Sequence, residues 1–254
     1  MSTFPRARAS RWLLALLCTL AACGPPRPVQ RAGWTGGQEL EVLLRTDAAK
    51  ILALTDLTAE VRFSLHEVGS ASGSILFQPP TLMRLDVRDF LFRRILSAVL
   101  DGDRLLALSR GEHYEMPAAA GLDVFLQIDL GGYDPRLALL GVVAPGRLEP
   151  DATEYPRADR AIVKLYDGVE GESRRLWLDL HRGFVEREEL LDANGNTRWS
   201  RQLSGWRRLA DTDVYLPKNI RVESQGRILE LEYGELRLNR DLPRATFFSG
   251  LGDP

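Results

Sequence analysis

From residue 38 onward the spacing of apolar side chains changes period once. Leu40, Leu43, Leu44, Ala48, Ile51 and Leu52 recur at helical spacing, while Glu39, Glu41, Arg45, Asp47 and Lys50 fill most of the opposite face. One amphipathic helix over 38–54 is predicted, and its apolar stripe must cover something. After Asp56 the period falls to two. Val61, Phe63 and Leu65 alternate with Arg62, Ser64 and His66, and Met83, Leu85 and Val87 alternate with Arg84, Asp86 and Arg88. Such alternation marks half-buried strands. Further strands are predicted at 75–78, 95–100, 104–109, 113–116, 161–167, 175–180, 184–191, 197–209, 220–224 and 228–238. Turn signals punctuate them: Gly69-Ser70-Ala71-Ser72-Gly73, Asp101-Gly102-Asp103, His181-Arg182-Gly183, Asp192-Ala193-Asn194-Gly195-Asn196 and Gln225-Gly226. The apolar phase slips at Gly234, which predicts a bulge.

Residues 117–150 interrupt this meander. Asp134-Pro135 can open a short helix through Leu140, and Pro145-Gly146 ends it. The predicted fold is α+β and mostly β. It is an incomplete antiparallel β-barrel of about 10–11 strands, the number that short, regular strand spacing gives over this length. The N-terminal helix and the helical insert are the elements free to cover one open face.

The first residues follow another pattern. Arg6, Arg8 and Arg11 precede an uncharged run from Trp12 to Ala22. A basic region, a short apolar region and small residues after it are the signature of a secretory signal peptide, expected here over 1–22. The run is too short to span a bilayer, which needs about 20 apolar residues. Both cysteines of the chain, Cys18 and Cys23, lie at its end. Leu20-Ala21-Ala22-Cys23 resembles the lipobox of bacterial lipoproteins. That resemblance implies cleavage between Ala22 and Cys23, a covalent lipid on Cys23, and no other cofactor. Gly24 in place of Asp implies the outer membrane, with the domain facing the periplasm. Residues 23–37, rich in Pro and Gly, are then a lipidated N-terminus and tether, and 38–254 form the domain.

Loss of three arginines takes the formal charge of the chain from −2 to −5. A mildly acidic chain without a basic stripe argues against a nucleic-acid partner. A hydrophobic content of 44% is ordinary for a globular protein.

Three phrases resemble the LolA/LolB-like lipoprotein carriers. They are PPTLMRLDVRDFLFRRILSAVLDGDRLLALSRGEHYEMP (79–117), GYDPRLALLG (132–141) and LWLDLHRGFVEREELLDANGNT (176–197). The resemblance implies a half-barrel whose apolar concave side, lidded by helices, holds acyl chains of lipids or lipoproteins. The other reading is that the same side chains pack against the helices. The domain is then a structural or interaction subunit of an envelope assembly, recruiting protein partners at its strand edges.

Asp89-Phe90-Leu91-Phe92-Arg93-Arg94 lies between two predicted strands. Phe90, Leu91 and Phe92 either form an exposed apolar tip, a candidate membrane or partner contact, or fold back into the core with Leu91 at a bulge. The second is the ordinary fate of such side chains. The tip arrangement resembles the protruding loop of LolB-type proteins.

Catalytic and metal patterns are weak. His66, His113 and His181 share no ligand spacing, and a zinc-protease helix motif is absent from the sequence. Gly69–Gly73 has Ala71 where a nucleophile elbow has its nucleophile. The Asp192 segment begins like a calcium loop but has Thr197 at the sixth position and Leu203 at the twelfth. Arg174-Arg175 and Arg207-Arg208 sit among acids and read as solvated strand faces. No catalytic residue and no metal ligand are assigned.

Overall fold

The computed structural model describes Val29, Arg31 and residues 40–65, 69–145, 147–166 and 172–251. The expected signal segment, Cys23, and His66 lie outside the described residues. Helix α1 (Leu40–Leu52) buries Leu43, Leu44, Ala48 and Ile51 of the predicted stripe, but Leu52, in its last turn, is exposed. Six strands then run as an antiparallel meander: β1 (Leu57–Leu65), β2 (Gly69–Gln78), β3 (Leu82–Arg88), β4 (Arg94–Asp101), β5 (Arg104–Ser109) and β6 (Glu112–Pro117). Helices α2 (Ala118–Leu126) and α3 (Pro135–Leu140) form the insert. A second meander follows: β7 (Arg147–Arg157), β8 (Arg160–Tyr166), β9 (Ser173–Asp179), β10 (Phe184–Leu191) and β11 (Thr197–Ser204). A short ribbon of β12 (Arg207–Arg208) and β13 (Tyr215–Leu216) leads to β14 (Asn219–Ser224), β15 (Arg227–Leu238) and a last helix, α4 (Arg244–Phe248).

Among the described residues these strands form one sheet of thirteen, in the order β6-β5-β4-β3-β2-β1-β15-β14-β11-β10-β9-β8-β7. Every neighbour pair is antiparallel, and β6 and β7 are left as edges, so the barrel is open. The long β15 joins the two meanders by pairing with β1. The right-handed twist of each strand, roughly 20–25° per neighbour, accumulates over so many strands into a deep curve. The inward phases of β1–β5, β8–β11, β14 and β15 supply the buried apolar core. The predicted bulge lies in the β1–β15 ladder, where the register shifts between Ala59 and Val61 opposite Gly234.

Four local expectations need correction. The strand count exceeds the expected one, partly because β7 occupies residues assigned to the insert. Gly69–Gly73 is the start of β2, paired with β1 and β3, and not a turn. Residue 73 must be small there, since a Cβ would stand 2.0 Å from the Asp86 carbonyl oxygen. The strand expected over 197–209 breaks at Gly205, whose φ of 66° turns the chain out of the sheet. The helix of the insert is ended by Gly141 at φ 70°, not by Pro145-Gly146.

The convex face is not wholly solvated. Leu82, Arg84 and Asp86 of β3 and Ser97 and Val99 of β4 point outward and are nevertheless buried. The C-terminal segment covers them, with Phe247 and Leu251 packed on Leu82 and Val99. The Asp56 carboxylate accepts from the backbone N–H of Arg240 and Leu242, both at 3.0 Å. Arg84 donates to the carbonyls of Phe247 at 2.9 Å and Ser249 at 2.7 Å, and to the Asp86 carboxylate. Burial pushes the Asp86 carboxyl up. Hydrogen bonds from Arg84 and Ser97 outweigh it and hold the group below its ordinary value.

Candidate functional site: a lidded concavity and an apolar tip

The insert covers the concave side: α2 packs on β5 and β6, with Phe125 edge-on to Tyr114, and α3 with its flanking turns lies over the β9–β15 half. α3 starts on Asp134, whose carboxylate accepts the Arg136 N–H at 2.8 Å, with Pro135 at the first helical position. Gly141 ends it in the left-handed region. A Cβ there would meet Pro217 at 2.4 Å, so glycine is needed for both backbone and space. Ile128, Leu130, Tyr133, Leu139, Leu140 and Val142 are buried against the sheet.

What fastens this lid is polar. Arg201 of β11 donates to the carbonyls of Leu137 at 2.9 Å, Ala138 at 3.1 Å and Val142 at 3.1 Å. Arg174 of β9 donates to Ala144 at 2.8 Å and Pro145 at 3.1 Å. Glu188 of β10 sits between them, ion-paired to both guanidiniums. The three side chains are 0–1% exposed. Trp199 donates its indole N–H to Leu130 at 2.8 Å, and the Tyr233 hydroxyl donates to Leu139. The Tyr133 hydroxyl donates to Val142 and accepts from Ala144. Burial, with the Glu188 charge adding to it, pushes the Tyr133 phenol up to about 12, so it remains a neutral donor. Sheet side chains thus satisfy carbonyls along 130–145 that α3 itself leaves open.

The sequence reading missed this cluster. Arg174 was expected on a solvated face. The signal was its phase: Arg174 falls in step with the inward Leu176 and Leu178, Glu188 with Leu190, and Arg201 with Trp199 and Leu203. A charge in the buried phase of a strand needs partners across the core, and the lid carbonyls are those partners.

The cavity between α1, the turn after α3 and the β12–β13 ribbon measures about 30 Å³, room for a single water.

The second part is the β3–β4 turn. Phe90, Leu91 and Phe92 are 80%, 55% and 77% exposed, so they do not fold back into the core as the ordinary expectation had it. The reason is local. The Asp89 carboxylate accepts from the backbone N–H of Leu91 and of Arg93, both at 2.9 Å, and from Arg93 Nε at 2.7 Å. The Phe92 N–H closes the turn on the Asp89 carbonyl at 2.9 Å, at the cost of a φ of 59°. The turn is self-contained and leaves its three apolar side chains outside. Ile95 extends the patch, and Arg88, Arg93 and Arg94 rim it, all exposed.

His113 is exposed on edge strand β6 and His181 is exposed in the β9–β10 turn. Among the described residues no group of three or more His, Cys, Asp or Glu could hold a metal, and no helix is long and apolar enough to cross a membrane.

No protein-family model matches the sequence, and no curated protein matches it. Solved structures do. A putative outer membrane lipoprotein-sorting protein domain from Vibrio parahaemolyticus superposes with a TM-score of 0.61 at 9% identity, over 82% of this chain and 95% of that one. A LolA-superfamily protein from Nitrosomonas europaea gives 0.55 at 12% identity, over 82% and 96%. A DUF1329 family protein from Desulfovibrio piger gives 0.63 at 12% identity, over 82% and 95%. At such identities the likeness is one of fold, and the open, lidded half-barrel of this chain is the LolA/LolB-like fold.

Proposed function

We propose that this chain is an exported lipoprotein, held at the outer membrane through a lipid on Cys23, that binds or hands on acyl chains of lipids or lipoproteins beneath its lid. The observation that carries this reading is the make-up of the concave side. A sheet face that is apolar apart from the Arg174–Glu188–Arg201 cluster is closed by a segment of short helices, attached by apolar packing and by side-chain hydrogen bonds to its carbonyls. When the lid lifts the sheet keeps its ladder hydrogen bonds and Glu188 stays on both guanidiniums, while Arg174 and Arg201 exchange the lid carbonyls for water or the polar head of an acyl ligand. No catalytic residue is required, since burial of each CH₂ supplies about 0.8 kcal/mol. The exposed Phe90–Phe92 tip is the contact with the membrane from which the acyl chain is taken or to which it is given.

One observation favours a second reading, a filled interaction module without a ligand: the cavity between α1 and the turn after α3 measures only about 30 Å³. The test is to purify residues 24–254 from a bacterial periplasm, extract with organic solvent and identify the extract by mass spectrometry. Near-stoichiometric phospholipid or acyl species are expected. A clean extract, together with no uptake of cis-parinaric acid, would sink the carrier reading and leave the filled module.

A further inference from the structure

The Gly69–Gly73 run, which reads as a turn in the sequence, begins strand β2 and shapes the convex face. Ser72 and Ser74 project outward from it, and the strands on either side present longer side chains. Ser72 stands between Arg88 of β3 and Arg62 of β1, and Ser74 between Asp86 and Glu60. Short residues flanked by long ones leave a trench of about 620 Å³, and Phe92 of the exposed tip is part of its wall. Because β3 runs into the tip after Arg88, the Arg88 row is the nearer to the tip. The Glu60 row lies two residues farther along the strands, about 7 Å.

The charges of this trench are unevenly paired. Glu232 is ion-paired to both Arg62 and Lys218. Asp86 is turned to Arg84 and Ser97. Arg88 and Glu60 are exposed on the trench and make no ion pair among the described residues. Arg237, whose charge reaches Glu60, is held by Glu235 at 2.9 and 3.1 Å. Leading away from the tip, the order is an apolar ring, an unpaired cation, two hydroxyls and an unpaired carboxylate. Read from its acyl chains, a zwitterionic phospholipid has the complementary order: apolar tail, phosphate, ammonium.

We infer that this trench on the outer face of β1, β2 and β3 binds the head group of a membrane phospholipid that carries a primary ammonium, as phosphatidylethanolamine does, while the tip lies in the bilayer. Arg88 donates to the phosphate, and Glu60 accepts from the ammonium. The separation of the two rows is one that a single phosphoethanolamine head bridges with hydrogen bonds at its two ends. A quaternary ammonium has no N–H to give Glu60, and a glycerol head has no cation, so the trench tells one head group from another. This inference rests on the membrane contact proposed for the tip and adds the lipid that the contact selects.

The experiment compares flotation of the 24–254 protein on phosphatidylethanolamine–phosphatidylglycerol vesicles with flotation on vesicles in which phosphatidylcholine replaces the phosphatidylethanolamine. Wild type is expected to bind the first about fivefold more tightly, the upper end for an exposed ion pair. Glu60→Gln should erase that preference and bind the phosphatidylcholine vesicles no more weakly than wild type. A Glu60→Gln protein that binds both vesicles more tightly and keeps the preference shows only a lost negative charge, and the inference falls. Arg88→Gln should weaken both vesicles by about fivefold, since every head carries phosphate. Arg45→Gln removes an exposed positive charge from α1 and should match wild type; an equal loss there would mean that net charge alone decides. Glycerophosphoethanolamine should displace the protein from vesicles better than inorganic phosphate. Equal displacement would mark a free-anion site and overturn the inference. Equal wild-type affinity for the two vesicles would overturn it too and leave the tip contact standing. Absence of flotation on either would overturn both.

Discussion

Two regions of this protein invert the usual partition of side chains. Under the lid, Arg174, Glu188 and Arg201 carry charge at 0–1% exposure. At the β3–β4 turn, Phe90, Leu91 and Phe92 are bare to solvent. The first inversion is compensated within the chain: every inward charge meets an opposite charge or a lid carbonyl. The second is not. The turn satisfies its own backbone through Asp89 and leaves its apolar side chains mostly in solvent. A third region, the convex face of β3 and β4, shows the intermediate case. There Leu82 and Val99 also point outward, but the C-terminal segment covers them. The difference teaches where an external partner is required. Charge inside and apolar surface outside are both costly, and only the tip leaves its cost to be met by something other than this chain.

The largest effect is expected where internal compensation is removed. Glu188→Ala leaves two guanidiniums facing each other with only neutral acceptors. Breaking a buried pair of this kind costs roughly 3–5 kcal/mol. For a domain of this size that is a fall in Tm on the order of 10 °C, read by thermal unfolding. If Tm moves by only a degree or two, the lid carbonyls alone carry the arginines, and the carboxylate is not the keystone it looks to be. Next in size is Phe247→Ala. It strips the main apolar cover from Leu82 and Val99, and deletion of a buried phenylalanine costs about 3–5 kcal/mol where the site cannot collapse. The α4 segment lies on the surface and can settle inward, so the lower end is expected, read by urea unfolding.

The contrast also explains what the sequence discloses. Alternation predicts the strands and the inward face because each strand's phase is a local property. The bulge at Gly234 and the hairpin turns are local too. The lid's anchoring is not local: Arg174, Glu188 and Arg201 lie on three strands, and the carbonyls they reach belong to 137–145. Read along the chain, Arg174 looks like its exposed neighbour Arg175, and only its shared phase with Leu176 and Leu178 separates them. The C-terminal cover escapes for the same reason. Leu82 and Val99 sit in the outward phase, and nothing near them in sequence announces that Phe247 returns to cover them. The tip was legible as a choice between two fates, and the hydrogen bonds of Asp89 decide it.

A smaller effect, and one with a sign, belongs to Asp86. Its carboxyl is held below the ordinary value by Arg84 and Ser97, against the opposing influence of burial. A group with a depressed folded pKa adds stability above its unfolded value, about 3.9 for aspartate. That stability is lost as pH falls from there through the lower folded value. Wild-type protein should therefore lose stability on acidification below about pH 4 more steeply than Asp86→Asn, which is weaker at neutral pH and flatter in acid. Parallel acid-unfolding curves would show that the Arg84 contacts to Phe247 and Ser249 hold the C-terminal cover without Asp86.

The smallest effect on stability should come from the tip, and it is the sharpest test of the comparison. Phe90, Leu91 and Phe92 lie mostly in solvent and outside the core, and Asp89 makes its turn with backbone groups and Arg93. Replacing all three by serine should leave unfolding free energy within about 0.5 kcal/mol of wild type, as for surface positions free of special contacts. The same replacement removes the only large exposed apolar cluster of the β3–β4 turn. Burying the three side chains in an apolar phase is worth roughly 1.5–3 kcal/mol each, so a tip that inserts in part should still lose at least tenfold in affinity for vesicles. Flotation with phosphatidylethanolamine–phosphatidylglycerol liposomes, using protein without its lipid anchor, separates the outcomes. Unchanged stability with lost flotation means the tip meets its cost in the membrane. Lost stability would mean that the tip is packed after all, and the comparison with the lid would fail. Unchanged flotation with unchanged stability would move the membrane contact elsewhere and leave the tip for a protein partner.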